Sequence, residues 1–136
     1  MGIIIKRNQY VASYDKLAIF IERKLYDYSE AISFNKPFSE ELIHVPFEKR
    51  SLQVEKCLSC VLGQYEPYTI FRDFDVLFNP DYKIDVLSVL VNAYKINKYS
   101  LVWSGKFLDG KLIYSEEGYK DYKVFSVSQY DIICVI

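Results

Sequence analysis

The sequence predicts an α/β fold, and three observations carry that expectation. Residues 16–21 (KLAIFI) form an unbroken apolar run with β-branched and aromatic content, the pattern of a strand covered on both faces. Ile84, Leu87, Leu90, Val91 and Tyr94 recur at helical spacing and mark an amphipathic helix. Strand-like and helix-like stretches then alternate along the chain, as in a parallel or mixed sheet with helices packed on it. The expected architecture is a small, mostly parallel or mixed sheet with flanking helices and a C-terminal β-hairpin.

Each element has its own signal. Residues 1–15 read as an extended start in which Ile3-Ile4-Ile5 pairs as a strand or packs on a neighbour. After KLAIFI, residues 31–34 (AISF) are a short second strand. Ser39 looks like a helix N-cap. Pro46 suits a first helical position, so Phe47 to Leu62 reads as a helix closed by Gly63 at its C-terminal cap. Tyr68 to Phe78 holds a third strand, and Asn79-Pro80 opens the loop before the amphipathic helix, capped by Asp81 or Asp85. Ser100 to Trp103 is a fourth strand, Leu108-Asp109-Gly110-Lys111 turns a hairpin, and Ile132 to Ile136 is the last strand.

Composition allows one domain spanning residues 1–136. A chain of 136 residues, 51% hydrophobic, fills a single core, and with 5 Gly and 4 Pro it has no linker-like tract. A net charge of −1 gives no electrostatic footprint for nucleic acid. No apolar stretch is long enough to span a bilayer, and the start, MGIIIKR, places its apolar run before its charges, the reverse of a secretory signal. A cytoplasmic protein is expected.

Metal and nucleophile chemistry find little support. Cys57 and Cys60 make a lone Cys-x-x-Cys within a helical pattern, where two small apolar residues one turn apart on a buried face are the simpler reading. A structural zinc site wants four ligands, and His44 is the single histidine, with no ligand-like spacing to anything. No Gly-x-Ser-x-Gly elbow is present, and Glu40-Glu41 and Glu116-Glu117 are neighbours that rarely converge on one substrate. No metal, cofactor or catalytic residue is therefore assigned.

Residues 68–123 carry a longer pattern. An apolar strand is followed by Leu77-Phe78-Asn79-Pro80, a helix, Trp103-Ser104-Gly105, the hairpin, and Tyr114-Ser115-Glu116-Glu117-Gly118-Tyr119. That order resembles the back half of the BrxF family, small P-loop proteins of type 3 bacteriophage-exclusion (BREX) defence systems. The resemblance covers about residues 16–125 and implies a P-loop-NTPase-like but truncated fold.

The phosphate-binding half of that family's site is missing. A P-loop needs glycines so that backbone N–H groups can surround the phosphates, with a Lys and a Ser/Thr for the outer phosphates and Mg²⁺. Between Gly2 and Gly63 this sequence has no glycine at all. Lys24 and Ser29 have the right chemistry without the loop, and a short connection replaces the loop and its helix. At the end of the third strand, the register that keeps Val76 to Pro80 aligned with the family puts Arg72 at the metal-binding acidic position, whereas a one-residue slip would put Asp73 there. A cation at that position opposes Mg²⁺.

The expectation is a noncatalytic interaction subunit of a prokaryotic anti-phage defence system. It would dock on a larger protein component of the complex or on itself. Trp103, Lys106, Phe107, Tyr114, Tyr119 and Tyr122 are the interface candidates, since large amphipathic side chains are enriched at interfaces. Ile3-Ile4-Ile5 is a second candidate, as an exposed strand edge. Two alternatives stand beside this reading. One is an ATPase-like nucleotide-binding protein using Lys24, Ser29 and Asp73. The other is a DNA-binding accessory using Lys95, Lys98, Lys106 and Lys111 with the aromatic neighbours Tyr99 and Trp103.

Overall fold

The computed structural model describes residues 1–11, 15–21 and 31–136. Six parallel strands form one sheet: β1 (Ile3–Ile5), β2 (Leu17–Phe20), β3 (Ile32–Ser33), β4 (Thr69–Arg72), β5 (Tyr99–Val102) and β9 (Ile132–Val135), in the order β1-β9-β2-β5-β4-β3. A second, antiparallel sheet holds β6 (Lys106–Leu108), β7 (Lys111–Tyr114) and β8 (Lys123–Ser126). The α/β expectation holds. The hairpin expected near the C-terminus has gained a third strand, β8, that the short segment KVFS did not announce.

Parallel strands need crossovers, and right-handedness decides where they lie. From β3 the chain passes through α1 (Asn35–Leu42) and α2 (Arg50–Leu62) to β4, and through α3 (Val86–Tyr94) to β5. Both steps run the same way across the sheet, so the three helices share one face. There Leu17, Ile19, Phe71, Leu101, Ile132 and Cys134 meet Phe38, Val54, Leu58, Val61, Leu87 and Leu90 in one buried cluster, which continues into the small sheet through Leu112 and Phe125. Alternate strand residues point the other way. Phe20, Ile133 and Val135 form a smaller cluster there, against Ile5, Tyr10 and Ile70.

Local signals explain most boundaries. Asp85 caps α3, its carboxylate accepting from the Ser88 N–H at 3.2 Å. Asn79 accepts from the Asp81 N–H at 3.0 Å and turns the chain at Pro80. Asp109 and Gly110, at φ 52° and 72°, make the two-residue turn whose twist suits a hairpin. Pro46 leads a single 3-10 turn, Phe47–Lys49, into α2.

Other boundaries depart from expectation. Within the stretch from Tyr68 to Phe78 the third strand covers Thr69–Arg72, because Asp73 takes a left-handed φ of 56° and residues 75–78 then form a 3-10 turn. Helix α1 begins at Asn35, leaving Ser39 inside it rather than at its cap. Long-range contacts set that start: the Asn35 N–H donates to the Asp73 carbonyl at 2.8 Å, and Asn35 Oδ1 accepts from the Val76 N–H at 2.9 Å. Gly63 ends α2 with a right-handed φ of −67°, so its freedom to adopt positive φ is unused. Cys57 is buried, but Cys60 is exposed, so the two do not share a buried face.

Between β5 and β9 the small sheet takes the place of a crossover helix, and Trp103 fastens it. The indole N–H is shared between the carbonyls of Lys106 and Ile113, each at 3.1 Å. Gly105 permits the approach: a Cβ there would lie 1.9 Å from the Ile113 oxygen and 2.9 Å from Trp103 Nε1. We predict that Gly105→Ala forces the hairpin off the indole and costs about 1–3 kcal/mol, the usual penalty for overpacking. Urea unfolding of the two proteins measures it, and an unchanged midpoint would refute the close approach.

Candidate functional site at the carboxyl edge of the sheet

In a parallel sheet every strand ends on the same side, and ligands bind where neighbouring strands send their connections in opposite directions. Here that point lies between β2 and β5. From β2 the chain runs toward β3 at one edge, and from β5 it runs past β2 to β9. The two strands are held together there by the Trp103 N–H, which donates to the Phe20 carbonyl at 2.9 Å. Beside them, β4 delivers Arg72 and Asp73 to the same edge.

Several described side chains at this edge pair with one another. The Arg72 guanidinium pairs with the Asp73 carboxylate. Asp75, in the turn that follows, accepts from the Tyr114 hydroxyl at 2.8 Å. Asp121 accepts from Ser115 Oγ at 2.7 Å. The Tyr114 ring lies flat on Phe78, 3.7 Å between centroids and 4° between planes. Burial, and then the hydrogen bond to Asp75, push the Tyr114 hydroxyl well above the usual tyrosine range.

Beneath these groups the edge is aromatic. Trp103 is 4% exposed and packs edge-on or tilted against Phe74, Phe78 and Phe125 at 5.9–6.0 Å. Such pairs contribute about 0.5–1.5 kcal/mol each beyond their buried area. Tyr130 joins from the other end of the small sheet: its ring meets Phe125 at 5.9 Å, and its hydroxyl donates to Asp85 Oδ2 at 2.8 Å. Sequence reasoning missed Tyr130, Ser115 and Asp121. The clue for the last two was the loop through Gly118, whose φ is 98°, because a tight loop brings Ser115 and Asp121 together.

The sequence candidates fall into distinct places. Lys24 and Ser29 lie outside the described residues. Asp73 is at the edge, tied to Arg72. Trp103 is a core residue rather than a surface anchor. Phe107 is partly buried against the main core, Tyr114 is partly buried over Phe78, Tyr122 is partly exposed, and Lys106 is exposed. Tyr119, at 66% exposure, is the fully outward tyrosine of this group. The lysines of the DNA-binding alternative are separated along the fold. Lys95 and Lys98 precede β5, whereas Lys106 and Lys111 belong to the small sheet beyond its carboxyl end. Lys98 pairs with Asp15 at 3.2 Å and lies over the Tyr94 ring at 4.4 Å. The aromatic partners of that alternative, Tyr99 and Trp103, are buried.

Among the described residues, no group of three or more His, Cys, Asp or Glu side chains is arranged to hold a metal ion. His44 is exposed in the turn after α1. Burial raises the Cys57 thiol and pushes Cys134 up to about 12. No described helix is long and apolar enough to cross a membrane.

Two tyrosine hydroxyls make stability sensitive to alkali. Tyr94 and Tyr130 are each pushed up to about 12, chiefly by burial, with the bond to Asp85 adding to the shift of Tyr130. In the unfolded chain they ionise near pH 10. The folded state therefore holds these protons more tightly. Their contribution is complete below about pH 10 and is lost as pH rises through the folded values near 12. The melting temperature is predicted to fall steeply between those limits, with tyrosinate absorbance rising in the same window. Full ionisation of all tyrosines at pH 11 in a protein still folded would contradict this.

Comparison of the chain with protein-family models, with curated proteins and with solved structures finds no match in any of the three.

Proposed function

We propose that this chain is a noncatalytic interaction subunit built on a degenerate nucleotide-binding fold. One observation carries the reading. At the edge where a parallel α/β sheet would bind its ligand, Asp73, Asp75 and Asp121 are each held by a neighbour, namely Arg72, Tyr114 and Ser115. A Mg²⁺-phosphate group needs carboxylates free to hold the metal and its water shell, and a guanidinium at the strand end opposes it. The glycine-free sequence between Gly2 and Gly63 supports the same reading, because a backbone cradle for phosphate wants glycine. The setting, a prokaryotic anti-phage defence system, comes from the resemblance of residues 68–123 to the BrxF family. In that setting the partner is a larger protein of the defence complex, met in the cytoplasm.

A thermal-shift titration with Mg²⁺-ATP, Mg²⁺-ADP and Mg²⁺-GTP tests the proposal. A ligand at 100 times its dissociation constant would stabilise the fold by about 2.7 kcal/mol. No shift at millimolar nucleotide is the expected result. A saturating shift would overturn it, and if Asp73→Ala then abolished the shift, the ATPase-like alternative would take its place.

A further inference from the structure

Helix α2 sets two thiols three residues apart and gives them opposite surroundings. Cys57 is 6% exposed, whereas Cys60 lies open to solvent in the last turn of the helix. Both are free thiols. A step of three residues along an α-helix separates two Cα atoms by roughly 5 Å, within the range of about 4.4–6.8 Å that disulfides span. The matching Cβ atoms sit about 5–6 Å apart, and a disulfide wants about 3.5–4.5 Å. A bond between the two therefore closes only when that turn tightens.

The end of α2 can yield, but at a cost. It finishes at Gly63, whose N–H donates to the Ser59 carbonyl at 3.0 Å and whose φ of −67° leaves other conformations open to it. Gln64 then makes two bonds, its N–H to the Val61 carbonyl at 3.0 Å and its side-chain amide to Glu41 of α1 at 3.4 Å. Val61 and Leu62, next to Cys60, are buried in the core, so a tighter turn strains their packing. Strained or exposed disulfides are the easily reduced ones, and this one would be both.

We infer that Cys60 is a modification site for low-molecular-weight disulfides, and that Cys57 resolves the adduct into a reversible Cys57–Cys60 bond. Exposure assigns the two roles. A small disulfide such as oxidised glutathione reaches Cys60 and not the covered Cys57. The Cys60 thiolate attacks one sulfur of the reagent, forms a mixed disulfide and releases one glutathione thiolate. The Cys57 thiolate then attacks the Cys60 sulfur, forms the bond within the helix and releases the second glutathione. The two cysteines give up two electrons and two protons, and the reagent takes them as two thiols. Burial, and then Glu41 of α1, raise the Cys57 thiol against the lowering effect of Lys56, which makes the second step the slower one. Cys134, fully buried in β9, takes no part. This chemistry is independent of what the carboxyl edge of the sheet binds.

The test treats the whole folded protein with oxidised glutathione, quenches with iodoacetamide, and weighs the intact chain and its peptides. The wild-type chain is expected to pass through a species carrying one glutathione. It should end lighter by two hydrogens, with the bond mapped between Cys57 and Cys60 and undone by dithiothreitol. Cys57→Ala, which keeps a small apolar group in the core, should stop at the glutathione adduct. Cys60→Ser, at an exposed position where folding is not at stake, should react roughly tenfold or more slowly. The oxidised protein should melt several degrees below the reduced one, with amide shifts at Gly63 and Gln64. A wild-type chain that stops at the adduct, as Cys57→Ala does, would overturn the inference. So would a Cys57–Cys60 bond that forms only in urea, or a Cys60→Ser chain that reacts as fast as wild type. Equal melting of the oxidised and reduced proteins would refute the strained turn.

Discussion

The indole N–H of Trp103 is a single buried donor on which two sheets depend. It leaves the end of β5, in the middle of the parallel sheet, and ends on two carbonyls of the antiparallel one. Left without a partner, such a donor would cost about 1–3 kcal/mol. The small sheet is thereby required at this edge, and with it come Phe125, Tyr114 and Tyr130, which complete the aromatic layer over Phe74 and Phe78. Two tyrosine–aspartate bonds then fix the flanks, Tyr114 to Asp75 and Tyr130 to Asp85.

Among the described residues, this edge is a packed seam. In an open parallel sheet the carboxyl edge is lined by loops that leave space for a ligand. Here the residue directly after β5 is a tryptophan buried among phenylalanines, and the carboxylates around it accept from groups of the same chain.

Much of the fold was legible because its signals are local. KLAIFI gave a buried strand, Asp85 and the apolar stripe gave α3, and Asp109-Gly110 gave the hairpin turn. What escaped was set by distant partners. The end of β4 depends on the left-handed Asp73, and the start of α1 on the bonds that Asn35 makes to Asp73 and Val76. β8 was invisible because Lys123 and Val124 are both exposed, so no clean alternation marks it. Of the candidate site, the sequence identified the missing glycines and the awkward Arg72. It misjudged Trp103, since a large amphipathic side chain serves an interface and a core equally well, and only the position of Gly105 against Ile113 decides between them.

Hydrogen exchange of the Trp103 indole proton is the most direct test of this account. If the indole is the fastening between the sheets, its N–H exchanges only when the whole chain unfolds, with a protection free energy equal to the global stability from denaturant titration. Exchange through a much smaller opening would contradict the account. The small sheet would then be lifting from the parallel sheet in the folded protein, and the carboxyl edge would be open to ligands after all.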